Sequence, residues 1–339
     1  MPITRWATGI EGPRNIYVAP NRDVFIAQSR AGCVLLLRDQ DGNGYPDRGE
    51  VFAEKLDTPY GMLVLGDAFY VGANDALWKF PYHTGALHAE AGRKILDLPR
   101  GGHITRNLTA SADGKKIYIA VGSSGNLAEG GMAREKNRAN ILQINPDGSG
   151  LRVYAAGLRN PVGLGWRGNA LWTTVNERDM LGAELPPDYL TQVREGAFYG
   201  WPYAYWGAHE DPRRAGERPD LVRSTVVPDL ALGGHVAPLG LAFYDAQLFP
   251  PAYRGGVFIA EHGSWNRPEF SGYKVVYVPF ADGRPSGPPQ DFATGFIADG
   301  AKSEVYGRPA SVGVGPDGAL IIVDDAGDML WRVAPRKIP

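Results

Sequence analysis

A degenerate pattern that recurs six times limits what this chain can fold into more than any other feature. Each copy is a short apolar strand, a tight turn and a second apolar strand. The first copy runs Asn15-Ile16-Tyr17-Val18, turns at Asn21-Arg22-Asp23 and returns as Val24-Phe25-Ile26-Ala27. Later copies open at Gly61, Asn107, Val162, Leu239 and Ser311, and their second strands open at Ala68, Lys116, Ala170, Gly256 and Leu320. The copies recur at roughly 45 to 80 residues, which suits one four-stranded blade per repeat with insertions in some. Further strand pairs lie between them, such as Asn140–Ile144 with Leu151–Tyr154, and Tyr273–Val278; these are expected as outer strands. The pattern predicts an all-β fold: a six-bladed β-propeller of four-stranded antiparallel blades around a central channel, with residues 1–339 as a single domain. A segment near Thr4–Thr8 should pair with Leu330–Val333 and close the ring, leaving only short edges. A β-sandwich, or two smaller β domains, is the competing architecture. Helical periodicity is weak. Its best candidate is a single turn at Pro187-Asp188-Tyr189-Leu190, inside an insertion from about Glu177 to Val236. That insertion also holds Tyr199-Gly200-Trp201-Pro202-Tyr203 and Trp206, aromatics that either pack or line a mouth.

Composition is compatible with this reading. A length of 339 residues is long for one domain, yet large all-β folds reach it. Gly 45 and Pro 27 supply many turns. Lys+Arg 35 against Asp+Glu 37 leaves a net charge of −2, which gives no reason to expect nucleic acid or an anionic membrane as partner. The lone Cys33 excludes an internal disulfide and reads as a small buried hydrophobe. No apolar run approaches the ~18 residues of a membrane span. The opening Met1-Pro2-Ile3-Thr4-Arg5-Trp6 lacks a signal-peptide apolar core. It fits either a cytoplasmic chain or a mature form with a new initiator Met.

The repeat also sorts polar residues. Within each hairpin, the residue before the first strand and those after the second emerge at one end, and the turn emerges at the other. The turn end carries ordinary turn formers: Asn21, Asp67, Asp113, Gly168 and Asp317. The other end carries Arg14, Tyr60, His103, Arg159-Asn160, His235 and Arg308 before first strands. After second strands come Gln28-Ser29-Arg30, Asn74-Asp75, Ser123-Ser124-Gly125-Asn126, Asn176-Glu177-Arg178, Glu261-His262-Gly263-Ser264 and Asp324-Asp325. Around a channel these would converge on one mouth, and its Arg and His would suit an anionic, hydrogen-bonding ligand. Solvated loops are the alternative.

Five runs carry a family likeness: Gly102-His103-Ile104-Thr105-Arg106-Asn107-Leu108, Gly157-Leu158-Arg159-Asn160-Pro161-Val162-Gly163-Leu164, Tyr199-Gly200-Trp201-Pro202, Ala237-Pro238-Leu239-Gly240-Leu241 and His262-Gly263-Ser264-Trp265-Asn266-Arg267. Together they resemble the soluble sugar dehydrogenases that use pyrroloquinoline quinone (PQQ), with the L-sorbosone dehydrogenase-like branch beside the glucose and aldose enzymes. The resemblance spans about residues 10 to 335. It implies PQQ and Ca2+ as cofactors, a sugar or sugar-derived aldehyde as substrate, and hydride transfer to the quinone. It makes His103 the general base and Arg159 the group that polarises the quinone carbonyl. It gives Asn160, His235 and Arg308 cofactor contacts, with Arg267 or Lys274 in place of the family's lysine. It assigns calcium to the backbone carbonyls of Asn176 and Glu177. Where the glucose enzymes carry an Asp that orients the histidine, this chain has Ser123. Either another acid such as Glu129 substitutes, or the base is weaker, which bears on glucose oxidation more than on cofactor binding. The segment Asn176-Glu177-Arg178-Asp179 also departs from the glucose-enzyme pattern. The family reading further implies a separate electron acceptor, a cytochrome or quinone, and a periplasmic or secreted location.

A second calcium signature lies elsewhere. Asp39, Asp41, Asn43, Tyr45, Asp47 and Glu50 match the spacing of a calcium loop without the helices of an EF-hand. It would sit in an outer hairpin of the first blade, in a structural role or as an empty acidic turn. Two other functions stay open: a calcium-dependent lactonase-type hydrolase, which would ring its metal with Glu, Asn and Asp side chains, and a non-catalytic ligand-binding propeller.

Overall fold

A computed structural model describes residues 1–336. Six four-stranded antiparallel sheets form the blades of a ring. Five of them follow the chain, beginning at Pro13–Val18, Gly61–Leu65, Leu108–Ala110, Asn160–Arg167 and Pro238–Phe243. The sixth combines Pro309–Val314, Leu320–Asp324 and Met329–Val333 with the N-terminal strand Ile3–Thr8. Ile3 faces Val333 and Thr8 faces Met329, so the ring closes where the sequence places the closure.

The first strand of each blade faces the channel, and neighbouring first strands touch around the ring. Polar side chains stitch blade to blade there. Asn15 Nδ2 donates to Tyr60 O at 3.1 Å, Asn107 Nδ2 to Val162 O at 2.9 Å and Thr174 Oγ1 to Leu239 O at 2.6 Å. Ser311 Oγ donates to Asn15 Oδ1 at 2.8 Å, tying the last blade to the first.

Second strands are buried on both faces, because each blade is packed between two others. Val24–Gln28, Ala68–Gly72, Ile117–Val121, Val257–Glu261 and Leu320–Asp324 contain no exposed residue. This explains their nearly unbroken apolar sequence. The core lies between blades. Phe25 and Phe69 meet with ring centroids 4.7 Å apart across the first interface, and Phe258 and Phe292 at 4.5 Å lie in the cluster between the fifth and sixth blades.

One expected element is corrected. Pro187–Val193 is the third strand of the fourth blade, pairing Val175 with Tyr189 and Leu171 with Val193. The Pro-Asp opening mimics a helix start, but Leu-Thr-Gln-Val continues as a strand whose pairing partner waits on Ala170–Asn176. The insertion proper therefore begins after it. It holds the small pair Ala204–Tyr205 with His209–Glu210, and the helix Pro219–Ser224. Tyr199, Trp201 and Tyr203 in it are buried, so these aromatics pack. No helix of the described residues is long and apolar enough to cross a membrane.

Candidate active site

The end of the ring where first strands begin holds a cavity of about 490 Å³. Its walls include Arg14, His103, Arg159, Asn160, Asn176, Glu177, His235, His262 and Arg308. The mouth read from the repeat is thus gathered from five of the six blades.

His103 sits in the loop before Leu108–Ala110, and two buried guanidinium groups shape that loop. Arg106 donates to the carbonyls of His103 at 2.6 Å, Thr105 at 2.8 Å and Pro99 at 2.5 Å. Arg138 donates to Gly101 O at 2.9 Å and Arg100 O at 2.5 Å. Gly122 lies behind the histidine, where a Cβ would fall 2.3 Å from Asn160 Oδ1 and 2.5 Å from His103 Cβ. Only glycine lets those side chains meet there. His103 Nδ1 lies 3.0 Å from Ser123 O. A carbonyl only accepts, so Nδ1 carries the hydrogen and Nε2 keeps a lone pair. Burial, then the charge of Arg159, pushes the ring's pKa down to about 3, so the imidazole is neutral at neutral pH.

Ser123 does occupy the place behind the histidine, with Oγ 3.1 Å from Nδ1. Its own hydroxyl donates to Gly125 O at 2.6 Å. Glu129, one possible substitute acid, does not take that role: the hydrogen bonds of the His103 Nδ1 go to the Ser123 carbonyl and hydroxyl. His103 is therefore oriented by a carbonyl and a hydroxyl, and no carboxylate stands behind it among the described residues.

Arg159 is the hub of the opposite wall. Nη1 donates to Glu177 O at 2.7 Å and reaches Asn176 O at 3.4 Å. Nη2 donates to Asp179 Oδ2 at 2.9 Å and Asn126 Oδ1 at 3.1 Å. The guanidinium thus stands at the two carbonyls that the resemblance assigns to calcium. Asp179 also accepts from Asn266 Nδ2 at 2.7 Å, and Trp201 Nε1 fixes Asn126 through its carbonyl at 2.8 Å. Glu177 and Asp188 are buried beside this hub. Desolvation raises their pKa values to about 7 and about 6, so Glu177 is part-protonated near neutrality while Asp188 is mostly ionised. Asp188 accepts the N–H groups of Glu177 and Ala237, at 2.7 and 2.8 Å, and so ties the fourth blade to the fifth.

His235 and Ala237 both adopt positive φ, 58° and 51°, conformations that cost energy for residues with a Cβ and that cluster at functional loops. His235 Nε2 donates to Gly182 O at 2.8 Å. Arg308 donates to His262 O at 3.0 Å and Gly263 O at 2.9 Å, and lines the cavity. Arg14 pairs with Asp325 at 2.5 Å, and His262 Nε2 meets the other oxygen of that carboxylate at 2.8 Å. Burial holds the His262 pKa down to about 4, against the pull of Asp325.

Some expected residues are not brought here. Arg267 donates to Ala183 O at 2.8 Å and Gly234 O at 3.0 Å, bracing the insertion from outside the cavity. Lys274 pairs with Asp291 at 2.6 Å on an outer strand. The loop Asp39 to Glu50 lies at the far end of the ring. There Asp39 accepts from Gly42, Asn43 and Gly44 N–H, Asp41 and Asn43 accept from the N–H two residues on, and Asp47 accepts from Gln40 N. Glu50 pairs with Arg48 at 3.2 Å, and Tyr45 bonds Thr4 at 3.0 Å. Among the described residues, no three His, Cys, Asp or Glu side chains are arranged to hold a metal. Conversely, sequence reasoning assigned no specific role to Asn126, Asp179 or Asn266. Asp179 and Asn266 meet across 87 residues, a pairing with no local signature.

Four buried polar atoms on residues lining the cavity lack a protein partner: Arg159 Nε, Asn160 Oδ1, Glu177 Oε1 and Asn266 Oδ1. Each such atom costs about 1–3 kcal/mol if nothing else satisfies it. A polar ligand with both donors and acceptors would do so; of the three arginines in the wall, Arg14 and Arg159 are ion-paired and Arg308 bonds only carbonyls, leaving its charge to favour an anionic group.

Fold and site together define a propeller whose mouth gathers guanidinium groups, carboxylates and a neutral histidine. The TrAA12-like family profile matches residues 2–214 and 219–332. The chain belongs to this TrAA12-like family. An uncharacterized protein of Borreliella burgdorferi is 28% identical, over 89% of this chain and 86% of that protein. The pyrroloquinoline quinone-dependent pyranose dehydrogenase of Coprinopsis cinerea is 24% identical over 80% of this chain, which matches only 43% of its length. The holo form of the PQQ domain of that dehydrogenase superposes with a TM-score of 0.81 at 21% identity, over 98% of this chain and 95% of that one. The calcium structure of the family AA12 enzyme of Trichoderma reesei gives 0.82 at 19% identity, over 98% and 94%. These superpositions establish the six-bladed fold.

Proposed function

We propose that this protein is a PQQ-dependent dehydrogenase that oxidises a sugar or sugar-derived aldehyde. The observation that carries the reading is the convergence of Arg14, Arg159 and Arg308 with a neutral His103 on one cavity whose walls hold orphaned polar atoms. The names of the pyranose dehydrogenase relatives point the same way. PQQ is a planar quinone with three carboxylates, so its chemistry matches three guanidinium groups and the amide of Asn160. When bound, it supplies a two-electron acceptor for hydride from the substrate carbon.

The chain's residues would do the rest. Nδ1–H of His103 stays on the Ser123 carbonyl, and Nε2 takes the substrate's hydroxyl proton. Arg159, pinned on four oxygens, holds positive charge at a fixed place facing the cavity without reorganising during reaction. Anionic carboxylates beside Arg159 would offset its charge and raise the His103 pKa toward a useful range. Calcium held by the carbonyls of Asn176 and Glu177 would share those oxygens with the Arg159 guanidinium, each carbonyl having a second lone pair. Electrons would leave to a separate cytochrome or quinone, and a periplasmic or secreted setting fits such an enzyme. The lactonase reading is weaker, because the carboxylates of the cavity wall are already engaged: Asp179 accepts from Arg159 and Asn266, and Asp188 accepts two backbone N–H groups.

The test is a titration of metal-stripped protein with PQQ, with and without calcium, followed by dye reduction with an aldose panel. Binding should be stoichiometric and survive His103→Ala, with turnover falling by about 10²–10⁴. No binding at micromolar PQQ would overturn the reading.

A further inference from the structure

Next to the main cavity lies a second, of about 400 Å³. Its walls include Arg14, Ser29, Arg30, Thr58, Ile104 and Asp325. Arg14 and Ile104 belong to both cavities, and Ile104 directly follows His103. We propose that this second cavity is a subsite for the adjoining ring of a neutral di- or oligosaccharide, so that the substrate extends beyond one ring. The inference rests on the sugar-oxidation reading of the main cavity.

Charge comes first. Each arginine here is matched by an aspartate, Arg14 with Asp325 at 2.5 Å and Arg30 with Asp328 at 2.7 Å. The lining has no surplus charge with which to select an anion. Paired guanidinium and carboxylate groups instead offer donors and acceptors side by side, the pattern that neighbouring hydroxyls require. Ser29 Oγ donates to Pro59 O at 2.6 Å, so its lone pairs are left to accept. Ile104, 41% exposed, supplies an apolar surface for the C–H face of a sugar ring.

Backbone geometry around the subsite is also constrained. Gly12 has φ +55°, and a Cβ there would lie 2.6 Å from Arg30 Cβ, so the glycine makes room for that arginine. Thr58 holds φ 51°, a strained conformation for a β-branched residue. Its hydroxyl donates to Asp57 Oδ1 at 3.1 Å. Strain of this kind concentrates where a binding surface must be held in one shape.

Calorimetric titration of the full chain with neutral gluco-oligosaccharides of one to four rings, in α- and β-linked series, tests the subsite without turnover. In the wild type, affinity should rise about tenfold or more from one ring to two in one of the series. Arg30→Ala and Ser29→Trp should bind a single ring as the wild type does and lose that gain, with PQQ affinity unchanged in both. Equal affinity for one and two rings, absence of any saccharide binding, or a gain retained in both variants would overturn the subsite. A failed PQQ titration beside intact length dependence would overturn the cofactor reading alone.

Discussion

The two ends of the ring carry similar residue types and use them in opposite ways. At the far end, the carboxylates of Asp41 and Asp47 are exposed and that of Asp39 is half-buried, and all three already accept N–H groups of their own loop. At the mouth, Glu177 and Asp188 are buried, and Arg159, Asn160 and Asn266 still have unpartnered atoms. A self-satisfied loop needs no ligand to be stable. A buried wall with open valences is stable only because the whole ring supports it, and it gains when a ligand arrives. The far loop instead serves closure. Trp6 Nε1 donates to Gly44 O at 2.7 Å, and the Arg332 guanidinium lies 5.3 Å from the Tyr45 ring centre.

Three measurements would break or sharpen this contrast. Arg159→Met should have the largest effect, because it strands Asp179 and two carbonyls in a buried wall. Losing one partner of such a network costs about 3–5 kcal/mol, and PQQ affinity should fall by about 10²–10³. Affinity within a few-fold of the wild type would deny Arg159 its role. Glu261→Gln should come next. Glu261 is 1% exposed, has an unpartnered Oε2, and burial lifts its pKa to about 8. Its folded pKa lies above the unfolded value near 4.5, so the native state binds the extra proton between the two. Stability from this group is full below about pH 4.5 and is lost as pH rises through 8. The glutamine mimics the protonated form, so the variant should melt several degrees above the wild type at pH 9 and match it at pH 4.5. Equal melting at both pH values would refute the assignment. Asp39→Ala should do least: about 1 kcal/mol from lost acceptors in a solvated loop, with PQQ titration unchanged. A wild-type melting temperature that climbs with millimolar calcium, and does not climb in Asp39→Ala, would make the far loop a ligand site after all.

How far the sequence could be read depended on whether the relevant geometry was local. The six hairpins were legible because double-sided burial writes apolar runs directly into the second strands. The mouth was legible because hairpin ends alternate by construction. Pro187–Val193 was misread because its opening is chemically that of a helix, and only pairing with Ala170–Asn176 decides otherwise. Adjacent residues in one loop also diverge: Asn266 turns to Asp179 and Arg267 to Ala183 and Gly234, a choice no motif spacing encodes. Lys274 begins a strand beside Asp291, and a local ion pair claims it.

The closing strand has a consequence in time. Ile3–Thr8 precedes its partner Met329–Val333 by more than 300 residues of chain. At about 5–20 residues per second the first strand waits on the order of tens of seconds for its pairing edge. Its sequence, Ile-Thr-Arg-Trp-Ala-Thr, keeps one buried aromatic and otherwise exposed or half-exposed residues. A waiting edge of that composition is a poor template for a stray strand, and Trp6 alone marks the seam when the circle finally shuts.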